Sequence, residues 1–390
     1  MATRFSPAEM ERRYALARWL AAEHGLDALV VHGNSGANRH NNVNPFWLTQ
    51  YLDRHHCYLV VPREGEPALY VGLVNHVPNA RELADCPIVE WGGYEPGKTV
   101  AARLAELGAK RVGLVGVAST WGVGMPYLHY EAIRDLEPVD VTAEFARLRA
   151  VKSEEEIERL RGAAELSDLA ILTLQREAKP GRSEHELVAI CEHAYRLRGG
   201  TTRITYLRSM AMDAPNGCLP AQNASDRRLE RGDVILTEFS ASLGAYSGQV
   251  HRPVFVQAEP TAEWQRLFGV AKEAYDRIAA GLVPGSTEGD AIRNAAVIGE
   301  AGFAIYDDLI HGYGSDYGPP LVDRDCVRYW QTGEEPPPGR SVERGATVVI
   351  QPNPITPDER MGLQLGALTV VRDTGAETLH GLPFEPLIAS

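Results

Sequence analysis

Apolar and polar positions in the first 150 residues follow two alternating patterns. Apolar residues at helical spacing predict a helix over 10–24, and DALVVHG then predicts a buried strand ending at Gly33. Further strands are expected in CYLVVP, PALYVG, ELADCPIVEWGG and KRVGLVGVAS, with a helical pattern in TVAARLAELGA. Strands alternating with helices predict an α/β domain with a largely parallel or mixed sheet over residues 1–150.

The pattern changes after residue 150. Ser153 and the three glutamates after it predict a helix start, and Ile157, Leu160 and Ala164 continue at near-helical spacing. Two long helices, a block of strands, two more helices and a final block of strands follow. Segregated blocks predict an α+β domain over residues 151–390, in which helices cover a curved antiparallel sheet.

One stretch, ILTEFSASLGAYSGQVHRPVF at 235–255, predicts a β-hairpin with a small, Gly-rich centre. It carries Glu238 and Gln249 eleven residues apart, with His251 just beyond. Gln249 and His251 are two residues apart on one strand, so their side chains should point to the same face. These polar groups in an apolar hairpin are candidates for a functional site.

Composition narrows the class of partner. The chain has 390 residues, a formal net charge of −13 and a pI near 5.5, which argues against nucleic acid or an anionic membrane surface as a partner. A small molecule or peptide is the expected ligand. The charged amphipathic start and the lack of a long apolar run predict a cytoplasmic protein. Five widely spaced cysteines without a CxxC motif are expected to be reduced.

Five stretches, taken in order, resemble those of a known superfamily. They are LRAVKSEEEIERLRGAAELSD, RRLERGDVILTEFSASLGAYSGQVHRPVF, HGYG at 311, RGATVVIQPNP and GLQLGALTVVRDTGAETLHGLPF. The chain resembles the creatinase and aminopeptidase P superfamily of pita-bread enzymes. The resemblance implies an α/β N-terminal ribonuclease-H-like domain, an α+β pita-bread C-terminal domain, and a homodimer in which the N-terminal domain of one subunit reaches the other's active site.

The same resemblance implies a metal site whose ligand positions are substituted here. Metallopeptidases of the superfamily bind two divalent metals through Asp, Asp, His, Glu and Glu. Carried over in that order, the ligand positions fall on Glu238, Gln249, His311 (or Ser315 in a shifted alignment), Gln351 and Gly366, with Gln364 two residues before the last.

Charge at these positions predicts an enzyme without a metal cofactor. Among the matched ligands only Glu238 is a carboxylate, and neutral amides do not offset the charge of two close divalent ions. The expectation is therefore a metal-independent enzyme with no cofactor. A single divalent metal on Glu238 and His311 is the alternative.

The remaining polar groups have proposed roles. The amides of Gln249, Gln351 and Gln364 are expected to bind a polar substrate, because an amide both donates and accepts hydrogen bonds. His251 or His311 would move a proton, with Glu238 in support. The position of the substrate-side His of creatinase falls on Ala221, which argues against the creatinase mechanism in this chain. Arg54 resembles in placement an Arg that creatinase-like enzymes direct at a substrate carboxylate, and it is a further candidate for substrate binding. The other candidates for substrate binding are Tyr246, Asp316 and Tyr317.

Three functions are compatible with these residues. The main expectation is a creatinase-like hydrolase or lyase acting on a carbon–nitrogen bond of a small nitrogenous or carboxylated compound. The alternatives are a metal-dependent Xaa-Pro aminopeptidase or dipeptidase with altered ligands, and a non-catalytic protein that binds a metabolite.

Two of the candidate residues have a second interpretation: Asp316 and Tyr317 either line the pocket mouth or form only the turn that the neighbouring Gly and Pro residues require. The Arg54 region would serve the partner's site in a homodimer.

Overall fold

A computed structural model describes residues 4–33, 42–117 and 124–390 of the chain. Its internal contacts divide the protein into two compact units, Ala2–Ala150 and Val151–Ser390. Within the described ranges, no helix combines the length and the apolar character needed to cross a membrane.

The N-terminal unit contains a six-stranded mixed sheet in the order β4-β3-β2-β1-β5-β6. Strands β1, β2 and β3 pair antiparallel, whereas β4, β5 and β6 join the sheet by parallel pairing. The bounds are β1 Ala28–Gly33, β2 Cys57–Pro62, β3 Ala68–Val71, β4 Ile88–Trp91, β5 Val112–Val115 and β6 Val139–Asp140.

Helices cover both faces of this sheet, with a hydrophobic cluster under each. One cluster includes Leu29, Val31 and Trp47, and the other includes Val30, Tyr58 and Leu104, so neighbouring residues of β1 point to opposite sides. The helices are α1 Pro7–Glu23, α2 Val43–Thr49, α3 Val77–Leu83, α4 Pro96–Glu106, α5 Tyr127–Glu131 and α6 Thr142–Ala150, with short 3-10 turns at Val74–His76 and Arg134–Leu136.

The C-terminal unit is organised around a ten-stranded sheet. Eight strands follow the order β13-β12-β14-β16-β9-β8-β10-β18, while β17 pairs with β16 and β7 with β8. The bounds are β7 Thr201–Ala211, β8 Asp233–Leu243, β9 Tyr246–His251, β10 Val254–Val256, β12 Ile310–Gly312, β13 Gly318–Val322, β14 Thr347–Ile350, β16 Gly366–Arg372, β17 Gly375–Thr378 and β18 Leu387–Ala389; β11 Ala304–Ile305 and β15 Pro354–Ile355 form a separate pair.

Helices pack on both faces of this sheet, as the alternation along β8 requires. Ile235 and Phe239 face a cluster with α7 and α8, whereas Val234 and Leu236 face a cluster with α9. The helices are α7 Glu154–Glu177, α8 Glu184–Arg196, α9 Ala262–Gly281, α10 Glu288–Asn294, α11 Val297–Glu300 and α12 Val327–Thr332, with a 3-10 turn at Arg324–Cys326. The predicted helix start at Ser153 is a complete capping box with Glu156.

The predicted hairpin is formed by β8 and β9, which pair antiparallel and place Ser240 opposite Gln249. Helix α7 lies directly on this hairpin at Gly248. A Cβ added there would lie 2.5 Å from the backbone nitrogen and Cα of Ala164, so only glycine permits the close approach. The fold class expected from the sequence, an α/β domain followed by an α+β pita-bread domain, is confirmed.

Candidate functional site

The polar residues singled out in the C-terminal half come from one continuous part of its sheet. Strands β12, β14, β16, β9 and β8 are consecutive neighbours. Glu238 lies on β8, Gln249 and His251 on β9, and His311 on β12, while Gln351 follows β14 directly and Gln364 precedes β16 by two residues. Strand pairing therefore brings these side chains together, although they span more than 120 residues of sequence.

The amide of Gln249 is at the centre of the cluster. Its Nε2 donates to Glu238 Oε1 at 2.9 Å, and lies 3.4 Å from both His251 Nε2 and Gln351 Oε1. Its Oε1 lies 3.1 Å from His311 Nε2. A carboxylate oxygen, an imidazole nitrogen and an amide oxygen thus converge on one nitrogen atom. The amide cluster is the name used below for this group of side chains. Its members are Glu238, Gln249, His251, His311, Gln351 and Gln364, with the neighbouring acids Asp307 and Asp308.

Two acids that the sequence pattern did not indicate, Asp307 and Asp308, complete the amide cluster. Asp308 Oδ1 lies 2.8 Å from His311 Nδ1 and accepts from Gln351 Nε2 at 3.0 Å. Asp307 Oδ2 accepts from Gln364 Nε2 at 2.9 Å. The pair precedes β12 and follows no sequence motif; the signal available was two adjacent acids immediately before the apolar start of that strand.

A buried asparagine fixes the turn that presents both acids. Asn353 Oδ1 accepts from the backbone N–H groups of Tyr306 and Asp307, at 3.0 and 2.9 Å, and its Nδ2 donates to the carbonyl of Asp308 at 2.8 Å. Asn353 is fully buried, so these bonds satisfy both ends of its amide. The acidic turn is therefore held by a defined hydrogen-bond set.

Negative charge accumulates in this region. Desolvation is the larger cause, and repulsion from Asp307 and Asp308 the smaller one, that raises the pKa of Glu238 to about 8. Desolvation and Asp308 also raise the pKa of Asp307. Glu238, Asp307 and Tyr317 keep partial exposure, so the amide cluster opens to solvent on their side. Three carboxylates in one partly closed site favour the entry of a cation.

His251 and His311 have different surroundings. Burial, with His311 and Arg252 nearby, lowers the pKa of His251 well below its ordinary value, so its imidazole is neutral at neutral pH. Its Nδ1 has no hydrogen-bond partner among the described residues. The ring of His311 stacks on Tyr317, whose hydroxyl donates to Asp308 Oδ2 at 2.8 Å. Asp308 therefore orients His311, the role that the sequence analysis gave to Glu238.

Not every predicted residue lies in the amide cluster. The hydroxyl of Tyr246 donates to Glu156 at 2.7 Å, so this side chain ties β9 to the start of α7. Asp316 is exposed and accepts from the backbone N–H of Tyr317, as expected of a turn residue. Arg54 is an exposed residue of the N-terminal unit. These placements do not support the substrate-binding roles expected for Tyr246 and Asp316.

Two ambiguous positions are clarified by the geometry. The contact with Gln249 comes from His311, whereas Ser315 is a buried residue three positions beyond the end of β12. Gly366 has no room for a side chain, because an added Cβ would lie 2.6 Å from the carbonyl oxygen of Ile350. Gln364, two residues before this strand, supplies the polar group instead.

Comparison with known proteins identifies the family. Residues 158–373 match the description "Metallopeptidase family M24", and residues 12–151 match "Creatinase/Prolidase N-terminal domain". The chain belongs to metallopeptidase family M24. Its relatives include the Xaa-Pro dipeptidase of Pyrococcus furiosus, 24% identical over 331 residues, which cover 83% of this chain and 86% of the relative. The probable dipeptidase PepE of Mycobacterium tuberculosis is 25% identical over 404 residues, covering 99% and 98%.

Solved structures share the fold. The prolidase of Pyrococcus horikoshii OT3 aligns with a TM-score of 0.77 at 20% identity, covering 95% of this chain and 99% of that one. The Xaa-Pro dipeptidase of Bacillus anthracis aligns with a TM-score of 0.78 at 20% identity, covering 97% and 99%. The creatinase and aminopeptidase P resemblance is confirmed.

Membership of this family corrects two expectations. A metal-independent enzyme and the absence of a cofactor are both wrong, because the family is one of metallopeptidases. The physical reason is that the matched positions do not include Asp307 and Asp308, two carboxylates that lie in the same cluster and add negative charge to it. An enzyme is confirmed at the level of the family, but the relatives are peptidases, so a creatinase-like reaction is not supported.

The amide cluster fits one divalent ion better than two. Amides at 249 and 351 and a glycine at 366 leave no pair of bridging carboxylates at the matched positions. Glu238, His251 and Gln351 nevertheless direct three acceptors at the point that Gln249 Nε2 holds. Hard cations accept carboxylate and amide oxygens, and a neutral imidazole is the protonation state that a metal needs.

Proposed function

We propose that this protein is a hydrolase that cleaves the amide bond of a small, dipeptide-like substrate and uses one divalent cation. The observation that carries the proposal is the convergence of Glu238, His251 and Gln351 on one point beside the Asp308–His311 pair. The relatives named Xaa-Pro dipeptidase support an Xaa-Pro dipeptide as the first substrate to test.

Glu238, His251 and Gln351 would hold the cation, with the side-chain oxygen of Gln249 available if its amide turns over. Such an ion supplies charge that polarises a carbonyl and activates a bound water. Asp307 and Asp308 would support it electrostatically without contact, as neighbouring carboxylates do in other metal sites.

The residues of this chain also supply a path for a proton. Both nitrogens of His311 face oxygens, Asp308 Oδ1 at 2.8 Å and Gln249 Oε1 at 3.1 Å, so each ring nitrogen can donate when both carry a proton. The proton on His311 Nε2 is then available to the leaving amine nitrogen. Asp308 holds the ring in position, and Tyr317 holds Asp308 from the other side. Gln364 Oε1, which lacks a partner among the described residues, is free to bind the substrate.

Release of amino acid from a panel of Xaa-Pro and other dipeptides tests the proposal. The purified full-length chain should be stripped of metal and assayed with Mn²⁺, Co²⁺ or Zn²⁺ added singly. Turnover should require one of these ions. Glu238→Gln should lose most of the turnover, because the remaining ligands are neutral.

The matched control is Glu343→Gln, the same change at an exposed acid of the same unit. Its turnover should equal that of the unchanged protein. Full turnover by the Glu238→Gln variant would contradict the proposed cation site. Lack of turnover on every dipeptide with every ion would contradict a peptidase and favour a protein that binds a metabolite.

We also propose a homodimer in which Arg54 serves the partner's pocket. The support is the resemblance to creatinase-like enzymes and the exposure of Arg54 in the described N-terminal unit. Sedimentation should give twice the mass of the chain. Arg54→Ala should raise KM for substrates with a free carboxylate and leave KM for their amides unchanged, because a guanidinium pairs with a carboxylate.

A further inference from the structure

We infer that the N-terminal unit contains a separate divalent-metal site formed by Asp53, His55 and His76. One ligand atom from each residue lies within 4.8 Å of the other two. His55 Nδ1 is 3.6 Å from Asp53 Oδ1, and the two imidazole rings have centroids 5.9 Å apart. The site would take a transition metal such as Zn²⁺ or Co²⁺.

These distances approach those of a tetrahedral site. Ligands bonded to zinc at about 2.0–2.1 Å lie about 3.3–3.4 Å from one another. The His55–Asp53 pair is already near this separation. His76 lies at the end of the 3-10 turn Val74–His76, so a rotation of its half-buried side chain would close the remaining gap without moving a strand. Two imidazoles and one carboxylate also match the ligand preference of these metals.

The chain fixes the carboxylate before any ion binds. Asp53 Oδ1 accepts from the backbone N–H groups of Arg54 and His55, at 2.6 and 3.1 Å, and Oδ2 accepts from that of Gly72 at 2.9 Å. Gly72 is needed there, because an added Cβ would lie 2.4 Å from the Cβ of His55 and 3.0 Å from the carbonyl oxygen of His56. Contacts with the backbone thus hold Asp53 in place, and Gly72 packs closely against His55.

The buried Asp53 carboxylate borders two imidazoles that reach solvent. Asp53 is 1% exposed, and within the described residues its ion-pair contact is His55 rather than an Arg or Lys. His55 is exposed and His76 half-buried, so an ion can enter from solvent and keep water in its remaining position. The carboxylate also hydrogen bonds to the backbone through both oxygens, which is the outer-shell support that metal ligands usually have.

Titration calorimetry with Zn²⁺ on the metal-free, full-length chain tests the inference. His55→Ala and His76→Ala should each remove one bound equivalent or weaken its binding at least about tenfold. With Co²⁺, the visible absorption of that equivalent should disappear in both variants. Both side chains reach the surface, so the variants should fold, and circular dichroism checks this. His76→Gln, which keeps the side-chain length, is the second variant if alanine perturbs the turn.

The matched control is His185→Ala. His185 Nε2 lies 3.6 Å from Asp226 Oδ1, the same separation as in the proposed site, but this pair has no third ligand in the described residues. Its loss should leave zinc binding unchanged. Glu238→Gln should affect only the cation of the amide cluster, which separates failure of the two proposals. Unchanged stoichiometry and affinity in both His55→Ala and His76→Ala would overturn the inference.

Discussion

Replacing Glu238 by Gln should stabilise the metal-free protein at neutral and alkaline pH. The carboxylate is the one whose pKa rises to about 8, because desolvation and the charges of Asp307 and Asp308 oppose its ionisation. Gln at this position keeps an oxygen that can accept the 2.9 Å hydrogen bond from Gln249. The substitution therefore removes charge while preserving the contact.

The magnitude follows from the shift in proton affinity. Each tenfold change is worth about 1.4 kcal/mol, so a pKa raised from 4.5 to about 8 corresponds to at most about 5 kcal/mol. This is an upper value, since Glu238 keeps some contact with solvent. Below pH 4.5 both the folded and the unfolded chain bind the proton, and the native state has no penalty. Stability is lost as the pH rises from 4.5 towards 8, reaching about 3 kcal/mol at pH 7.

Thermal unfolding of both proteins between pH 5 and 9, in the presence of chelator, measures this difference. The Glu238→Gln variant should gain stability relative to the unchanged protein as the pH rises, by about 2–4 °C in Tm for each kcal/mol. Addition of Mn²⁺ at pH 8 should reverse the order, because the ion stabilises only the protein that binds it.

A second Glu→Gln change supplies the control. Glu184 is 3% exposed and accepts four hydrogen bonds, from the backbone and hydroxyl groups of Ser209 and Ser225. Its replacement should lower Tm, since bonds to a charged group contribute about 1.5–3 kcal/mol each. If Glu238→Gln also lowers Tm, or if its stability parallels that of the unchanged protein from pH 5 to 9, the charge account of the pocket is refuted.

Three further changes test the packing and the chemistry. Gly248→Ala should lower Tm by the equivalent of at least about 1–3 kcal/mol, because the new Cβ meets the Ala164 backbone at 2.5 Å; an unchanged Tm would argue against this contact. Ser153→Ala should lose about 1 kcal/mol of stability in urea unfolding with the removal of the α7 cap, whereas a loss of zero would mean that the capping box is not formed. Asp308→Asn should reduce kcat at least about 100-fold with little change in KM, and steady-state kinetics with kcat unaltered would exclude the Asp308–His311 pair from proton transfer.

Much of the fold could be predicted because its strands carry strong local signals. CYLVVP coincides with β2, and the Gly-rich hairpin coincides with β8 and β9. The predicted helix at 10–24 begins earlier, at Pro7, because Ser6 accepts a hydrogen bond from the backbone N–H of Glu9 and caps it. The last of the helices predicted from the sequence, EGDAIRNAAVIGEAG at 288–302, is divided into α10 and α11.

The candidate site was predictable only where residues occupy matched positions on strands. Glu238, Gln249 and His311 could be placed from the sequence, and the structure brings them within hydrogen-bonding distance. Asp307 and Asp308 could not, because their role depends on a turn fixed by a distant asparagine rather than on a motif. Charge balance is a property of neighbours in space, and the matched positions alone gave too little negative charge to hold a cation.

The most direct test of the proposed site is an anomalous difference map from crystals of the full-length protein grown with Mn²⁺. The account predicts one peak in the amide cluster, within about 2.5 Å of the Glu238 carboxylate, with the Gln249 amide nitrogen no longer at that point. Absence of a peak there, with Gln249 Nε2 still bonded to Glu238 in the presence of the ion, would contradict it.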